Sequence, residues 1–261
     1  MNNLKCLNIS LISTYDSDYI RMIVNNLKEY GYYPKHIYLA NKVGQVMFKF
    51  NSLVRIIKRL GLIEAIKRVR SNRYNTKHLK KENYLSINDF SKKYNIKIDY
   101  YDHIKSGRLL AKLLQQQPKV IALAGCGIVD ASLISIPEKG CVNAHPAILP
   151  GIRGVDVIEW SLIYNHPMGV TAHLVDDKVD SGKIIQTKMI NLLLNESFDE
   201  FKYRVLKEQA KIMADSIISV YEDKAKYHNH NLTKSKLCFS IDSANRKRAK
   251  EIYYKRQKEL L

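Results

Sequence analysis

Leu7 to Thr14 is a short run of apolar and small residues that reads as a buried strand, and it is followed at once by a different period. From Ser17 to Tyr30 the apolar positions Ile20, Ile23, Val24 and Leu27 fall on one face of a helix, which Gly31 closes. His36 to Ala40 then reads as a second strand. Strand, helix, strand is the opening of a doubly wound α/β sheet, and this order constrains the fold more than any other feature of the chain. The pattern breaks between Val43 and about Asn72, where Leu53, Ile56, Ile57, Leu60, Ile63, Ile66 and Val69 recur at helical spacing among basic residues; one or two inserted amphipathic helices are expected there. It then resumes with a helix over 86–94, a strand over 96–101, a helix over 107–116 and a central strand over 120–124, bounded by Pro118 and Gly125. A strand into Val142–His145, a helix near 156–164 and strands over 169–175 and 183–190 follow. Ser197 and Glu200 have capping-box spacing and open a long helix to about Glu222. A short apolar segment at 237–241 and a basic helix from about Ser243 end the chain.

With 261 residues, 46% of them hydrophobic, the chain can bury one sizeable core, so one main domain with appendages is expected. No apolar run approaches the roughly 20 residues of a membrane helix, and the start MNNLKC does not resemble a signal peptide; the expected location is cytoplasmic. Cys6, Cys126, Cys141 and Cys238 are scattered without a CxxC pair, which suits reduced thiols. The net charge of +18 implies an anionic partner: nucleic acid, a lipid surface or a phosphorylated small molecule. The charge is uneven. Lys42 to Lys81 holds twelve Lys and Arg, including Lys67, Arg68, Arg70, Arg73, Lys77 and Lys80, against the single acid Glu64, and 246–258 is a second basic stretch.

The chemistry concentrates in Asn143-Ala-His145-Pro-Ala-Ile-Leu-Pro150-Gly-Ile-Arg153-Gly154 and in the stretch from Gly169 to Gly182. Side chains in a strand alternate with period two, so Asn143 and His145 share a face, at the carboxyl edge where open α/β sheets bind ligands. Asp180 lies in a Val-Asp-Ser-Gly turn that can fold back over that edge. An amide donor, an imidazole and a carboxylate together suit acyl transfer to an amine, in which the substrate amine attacks and no Ser or Cys nucleophile is needed. His173 reads as a packing residue, His228-Asn-His230 as a loop without the carboxylates or thiols of a metal site, and Trp160 as core or pocket wall. Arg153 either holds an anionic acceptor or braces its loop.

These motifs resemble the folate-dependent formyltransferases. The resemblance is carried by Ala122-Leu-Ala-Gly125 with Ile128, Asn143-x-His145-Pro146 with Leu149-Pro150, Gly169-Val-Thr171-x-His173 and Asp180-x-Gly182-x-Ile184, in order and at family spacing over residues 118–190. It implies an α/β, Rossmann-like, mostly parallel sheet with helices on both faces. Residues 1–222 would form that domain, with the basic helical insertion at about 43–81, and 223–261 a basic C-terminal appendage. It further implies N10-formyltetrahydrofolate as formyl donor and no metal. Asn143 would bond the formyl oxygen, His145 would polarise or protonate the reacting centre, and Asp180 would orient His145 and relay a proton. Gly125, Gly127, Ile128, Val129 and Asp130, with Asp176 and Asp177, match the segments that hold the folate through backbone contacts.

Three acceptors compete. Purine-pathway members carry a glycine-rich phosphate turn after the first strand, where this chain reads Ser13-Thr-Tyr-Asp16-Ser17, and Asp16 would repel a phosphate. Methionyl-tRNA members carry a C-terminal barrel larger than the stretch 224–261, so nucleic acid ranks behind. The sugar N-formyltransferases resemble this chain best in length, which points to a nucleotide-linked amino sugar of the kind used in lipopolysaccharide O-antigen synthesis; a homodimer stays open. Formyltetrahydrofolate hydrolysis would need a regulatory domain before Leu7. A non-catalytic basic module that binds nucleic acid would have no use for Asn143, His145 and Asp180 together.

Overall fold

The computed structural model describes residues 4–72 and 83–260; Arg73, Lys77, Lys80 and Lys81 of the basic stretch lie outside the described residues. In chain order the first half holds β1 (Lys5–Ser13), α1 (Asp18–Glu29), β2 (Tyr32–Ala40), α2 (Lys42–Leu60), α3 (Leu62–Asn72), α4 (Ile87–Tyr94), β3 (Lys97–Tyr101), α5 (Gly107–Gln116) and β4 (Val120–Leu123). The second half holds α6 (Ala131–Ile134), β5 (Cys141–His145), β6 (Ile152–Gly154), α7 (Val157–Ile163), β7 (Gly169–Leu174), β8 (Ile184–Met189), α8 (Phe198–Tyr221), β9 (Lys236–Cys238) and α9 (Ser243–Lys258).

Seven strands form one sheet in the order β3-β2-β1-β4-β5-β7-β8. The pairs from β3 to β5 are parallel, whereas β5–β7 and β7–β8 are antiparallel. This is the mostly parallel α/β sheet expected from the alternation of periods. One face is covered by α1, α4 and α8, whose Ile20, Ile23, Leu27, Phe90, Phe201 and Ile217 pack on Ile9, Leu11, Val142 and Val170. On the other face Leu109, Leu113 and Leu133 of α5 and α6 pack on Ile12, Tyr38, Ile121 and Leu123. The capping box at the start of α8 is present: the Glu200 N–H donates to Ser197 Oγ at 3.3 Å, and the Ser197 N–H to Glu200 Oε2 at 2.8 Å.

The insertion is two helices turned by Gly61, whose φ of +85° suits a residue without Cβ. Asn41 caps α2 through its Oδ1, which accepts from the Gly44 N–H at 2.9 Å. Gly44 lets α2 approach the end of β3, since a Cβ there would stand 2.3 Å from the Asp102 carbonyl oxygen.

A two-stranded parallel pair, β6 with β9, was not foreseen; the apolar segment expected near 237–241 supplies β9. Helix α9 buries Ala249 and Tyr253 in the same core as α8, with Tyr253 against the rings of Phe198 and Phe201. The insertion docks on this C-terminal part. Arg68 of α3 forms a two-pronged bond to Asp156, 2.8 Å on each arm, and Glu64 Oε2 accepts from the Ser243 N–H at 2.8 Å. Burial alone would raise the Asp156 carboxyl, but the bond to Arg68 and its charge outweigh this and hold it below its ordinary value. Arg68 therefore braces the fold, where its place in a basic run suggested foremost a solvated helix face. Arg68→Gln is expected to cost about 2 kcal/mol, the scale of a lost charged hydrogen bond, read as a lower urea midpoint with unchanged slope.

Candidate functional site

Side-chain alternation on β5 sends Val142 and Ala144 into the layer of α1 and α8, and turns Cys141, Asn143 and His145 to the opposite face. The antiparallel register sets Asn143 opposite His173 and His145 opposite Thr171. Thr171 holds the loop that leaves β5, donating from Oγ1 to the Ala147 carbonyl at 2.8 Å and accepting from the Leu149 N–H at 3.1 Å. After β7 the chain turns through 175–183 and brings Asp180 back over these residues. Gly182 permits the return, because a Cβ there would stand 1.8 Å from the Leu174 carbonyl oxygen.

Asp180 is the centre of the cluster. Its Oδ2 lies 3.4 Å from His145 Nδ1, its Oδ1 lies 3.6 Å from His173 Nε2, and the Gly154 N–H donates to Oδ2 at 2.8 Å. Asn143 Nδ2 is 3.3 Å from His173 Nε2. Asn143, His145 and Asp180 are thus brought together as the sequence implied. His173, read as packing, belongs with them; the signal was there, since His173 shares its face with Thr171 on a strand paired to β5.

The far side of each imidazole fixes its tautomer. A carbonyl oxygen only accepts, so His145 Nε2, 3.0 Å from the Ile152 carbonyl, and His173 Nδ1, 2.7 Å from the Leu174 carbonyl, both carry hydrogen. In their neutral forms the two rings therefore turn bare nitrogens toward Asp180. Burial lowers the pKa of His145, against the opposing charge of Asp180, and the ring is 3% exposed. For Asp180, burial alone would raise the pKa; a proton shared with His173, the charge that His145 carries once protonated, and the Gly154 N–H overcome it and hold the carboxyl at about 2. An ionised carboxylate faced by two basic nitrogens is a place for one incoming proton. That is the requirement of a site that removes a proton from an attacking amine.

Other assigned residues surround this cluster. Gly125 and Gly127 have φ of +74° and +90° in the loop after β4, and Thr14 Oγ1 donates to the Gly125 carbonyl at 2.9 Å. In that loop Ile128 is exposed, Val129 is half-buried, and Asp130 accepts from Ser132 Oγ at 2.8 Å. Cys126 is buried, which pushes its thiol up to about 12, and suits the reading that it is unreactive. Asp176 accepts from the Lys178 N–H and from Ser181 Oγ within its own loop, and Asp177 is exposed. Arg153 donates to the Val179 carbonyl at 2.9 Å and to Ser235 Oγ at 3.1 Å, so it braces the Asp180 loop. Asp16 is paired with Arg21 at 2.6 Å, which removes much of the repulsion expected of it toward a phosphate.

A cleft of about 100 Å³ opens where β1, β2, β3 and β4 end, lined among others by Thr14, Phe48, Asn51, Arg55, Tyr101 and Gly127. Asn143, His145 and Asp180 do not line it, whereas Cys126, Gly127 and Ile128, in the loop after the β4 strand that pairs with β5, do.

Residues 65–217 match the formyl transferase family model. The chain belongs to the formyl transferase family. A methionyl-tRNA formyltransferase from Thermodesulfovibrio yellowstonii is 29% identical over 125 residues, covering 47% of this chain and 39% of that protein. The chain thus spans less than half the length of the curated relatives it matches first. A sugar N-formyltransferase from Shewanella superposes with a TM-score of 0.56 at 13% identity, over 94% of this chain and 87% of that one. A phosphoribosylglycinamide formyltransferase from Anaplasma phagocytophilum gives 0.60 at 12% identity, over 90% and 100%. These two likenesses concern the formyl transferase fold.

The depressed Asp180 carboxyl has a defined pH signature. A group whose pKa is lowered on folding adds stability above its unfolded value, near 3.9, and that stability is lost as pH falls through about 2. Asp180→Asn is therefore expected to be less stable than the native chain near neutrality, with the gap closing between about pH 4 and pH 2 in denaturant titrations.

Proposed function

We propose that this protein transfers a formyl group from N10-formyltetrahydrofolate to a primary amine. The observation that carries this reading is the cluster in which His145 and His173 face the ionised Asp180 at 3.4 and 3.6 Å and Asn143 stands 3.3 Å from His173. The donor set fits the N10-formyl amide of that folate in kind: an amide N–H for its oxygen and bare imidazole nitrogens for a proton, with Gly125 and Gly127 exposed in the loop after β4. When bound, the donor supplies the one-carbon unit at the formyl oxidation level. Asn143 uses one amide hydrogen toward His173, leaving the other for the charge that develops on the formyl oxygen. His145 and Asp180 take up the proton released as the amine nitrogen bonds to the formyl carbon. They return it to the leaving nitrogen as the old C–N bond breaks, so no proton or electron is gained overall.

For the acceptor we infer a nucleotide-linked amino sugar. Asn51 and Arg55 reach the cleft from α2, beside the Phe48 and Tyr101 rings, a lining suited to a diphosphate and a base. The buried hydroxyls of the Ser13–Thr14 turn, bonded to Tyr15 and Gly125 carbonyls, leave no glycine-rich phosphate cradle there. A second reading, formylation of an aminoacyl-tRNA, is favoured by the curated relative named above and by the +18 charge.

Incubation of the protein and N10-formyltetrahydrofolate with nucleotide-linked amino sugars, and in parallel with charged tRNA, separates these acceptors by the mass gained. His145→Ala and Asp180→Ala are each expected to slow transfer by about 10²–10⁴-fold with unchanged far-ultraviolet circular dichroism. Turnover equal to that of the native chain in either variant would overturn the reading.

A further inference from the structure

The inserted hairpin leaves apolar side chains in water where a folded surface normally would not. On α2, Val43, Val46 and Phe50 are 60%, 66% and 63% exposed, and on α3 Ile63 reaches 71% with Ile66 also exposed. Positions 43, 46 and 50 are three and four residues apart and form one stripe. At 100° per residue, Lys42 and Lys49 fall on one flank of that stripe and Lys58 on the other, all exposed. An exposed apolar stripe of this kind marks an interaction site. An apolar stripe between basic flanks is the pattern of a helix lying in the plane of a lipid interface.

Charge decides between the occupants. The described part of the insertion carries one acid, Glu64, already bound to Lys67 and to Ser243 of the C-terminal part. Two copies of the face laid together by a two-fold axis would set like charges opposite each other. Nucleic acid would satisfy the lysines and leave Val43, Val46, Phe50 and Ile63 in water. A bilayer containing anionic lipid satisfies both, with the side chains of the stripe among the acyl chains and the ammonium groups at the phosphates.

We propose that the α2–α3 hairpin is a peripheral attachment surface for an anionic membrane. The proposal rests on the exposed faces of these two helices and is independent of the acceptor inferred above. Ile128 and Met47, both exposed, line the cleft, and Met47 follows the stripe residue Val46 on α2.

The test is flotation of the full chain with vesicles of phosphatidylcholine alone and of phosphatidylcholine with phosphatidylglycerol. Binding to the mixed vesicles is expected to exceed binding to the neutral ones by about tenfold or more, and to fall with salt. Val46→Ser combined with Phe50→Ser and Ile63→Ser is expected to lower binding by about tenfold or more, and Lys42→Gln with Lys58→Gln by several-fold. Circular dichroism and the thermal midpoint check that each variant folds. Equal recovery with both vesicle types, or undiminished binding by the folded serine variant, overturns the proposal. So does a dimer, or an RNA complex, that depends on these residues while vesicles are ignored.

Discussion

A carboxylate taken out of water must be met by donors or it will not stay ionised, and the second half of this chain is arranged around that requirement at Asp180. The Gly154 N–H supplies one fixed donor at 2.8 Å. The two imidazoles supply places where a proton can reside beside the carboxylate, each ring pinned from behind by a backbone carbonyl. Two of these backbone groups, the Ile152 carbonyl and the Gly154 N–H, come from β6, a strand of three residues that would have little order by itself. It is held by β9, in the last part of the chain. Gly154 lies at φ +100°, and a Cβ there would meet the Cys238 carbonyl oxygen at 2.0 Å, so the approach of β9 depends on a bare backbone at that position.

The strand and helix order was legible because each element is local: the alternation from β1 to β4 and the Ser197–Glu200 box are written within a few residues. So was the candidate site, in part. Period two put Asn143 and His145 on one face, whereas the pairing of Asp180 with them came from resemblance to a family and not from any spacing along the chain. The β6–β9 pair was illegible for a physical reason. Three residues carry no usable period, and their partner lies some eighty residues away, selected by shape only after the core has formed. Arg68 fails for the same reason: nothing beside it in sequence announces Asp156, and a lysine-rich neighbourhood makes an ionic brace look like a solvated face. His173 is different. Its contact with the cluster follows from strand alternation once β5 and β7 are known to be neighbours; the ring is buried and partnered on both nitrogens, as the packing reading expects, and it also faces Asp180.

The polar cluster and the cleft occupy different parts of one sheet. The polar cluster sits at β5 and β7, closed by β6; the cleft sits where β1 to β4 end, closed by α2. Asn51 and Arg55 line the cleft and make none of the contacts to Asp180, although both regions rest on one core layer that holds Tyr101, Cys126 and Cys141.

The division is incomplete, and the inserted hairpin is what joins the parts. Its first helix walls the cleft, and its second reaches through Arg68 to Asp156, two residues beyond the glycine that donates to Asp180. Asp156 itself stands at φ +53° and also accepts from the Ile241 N–H at 3.0 Å, so Arg68 holds a strained corner from which α7 starts and against which the C-terminal segment is tied. A displacement of α3 is resisted at that corner through a two-pronged charged bond, and from there only Val155 separates it from the backbone that positions the carboxylate. Whatever presses on the exposed face of the hairpin therefore acts on an element that is mechanically continuous with the Asp180 cluster, which a helix added merely to the surface would not be.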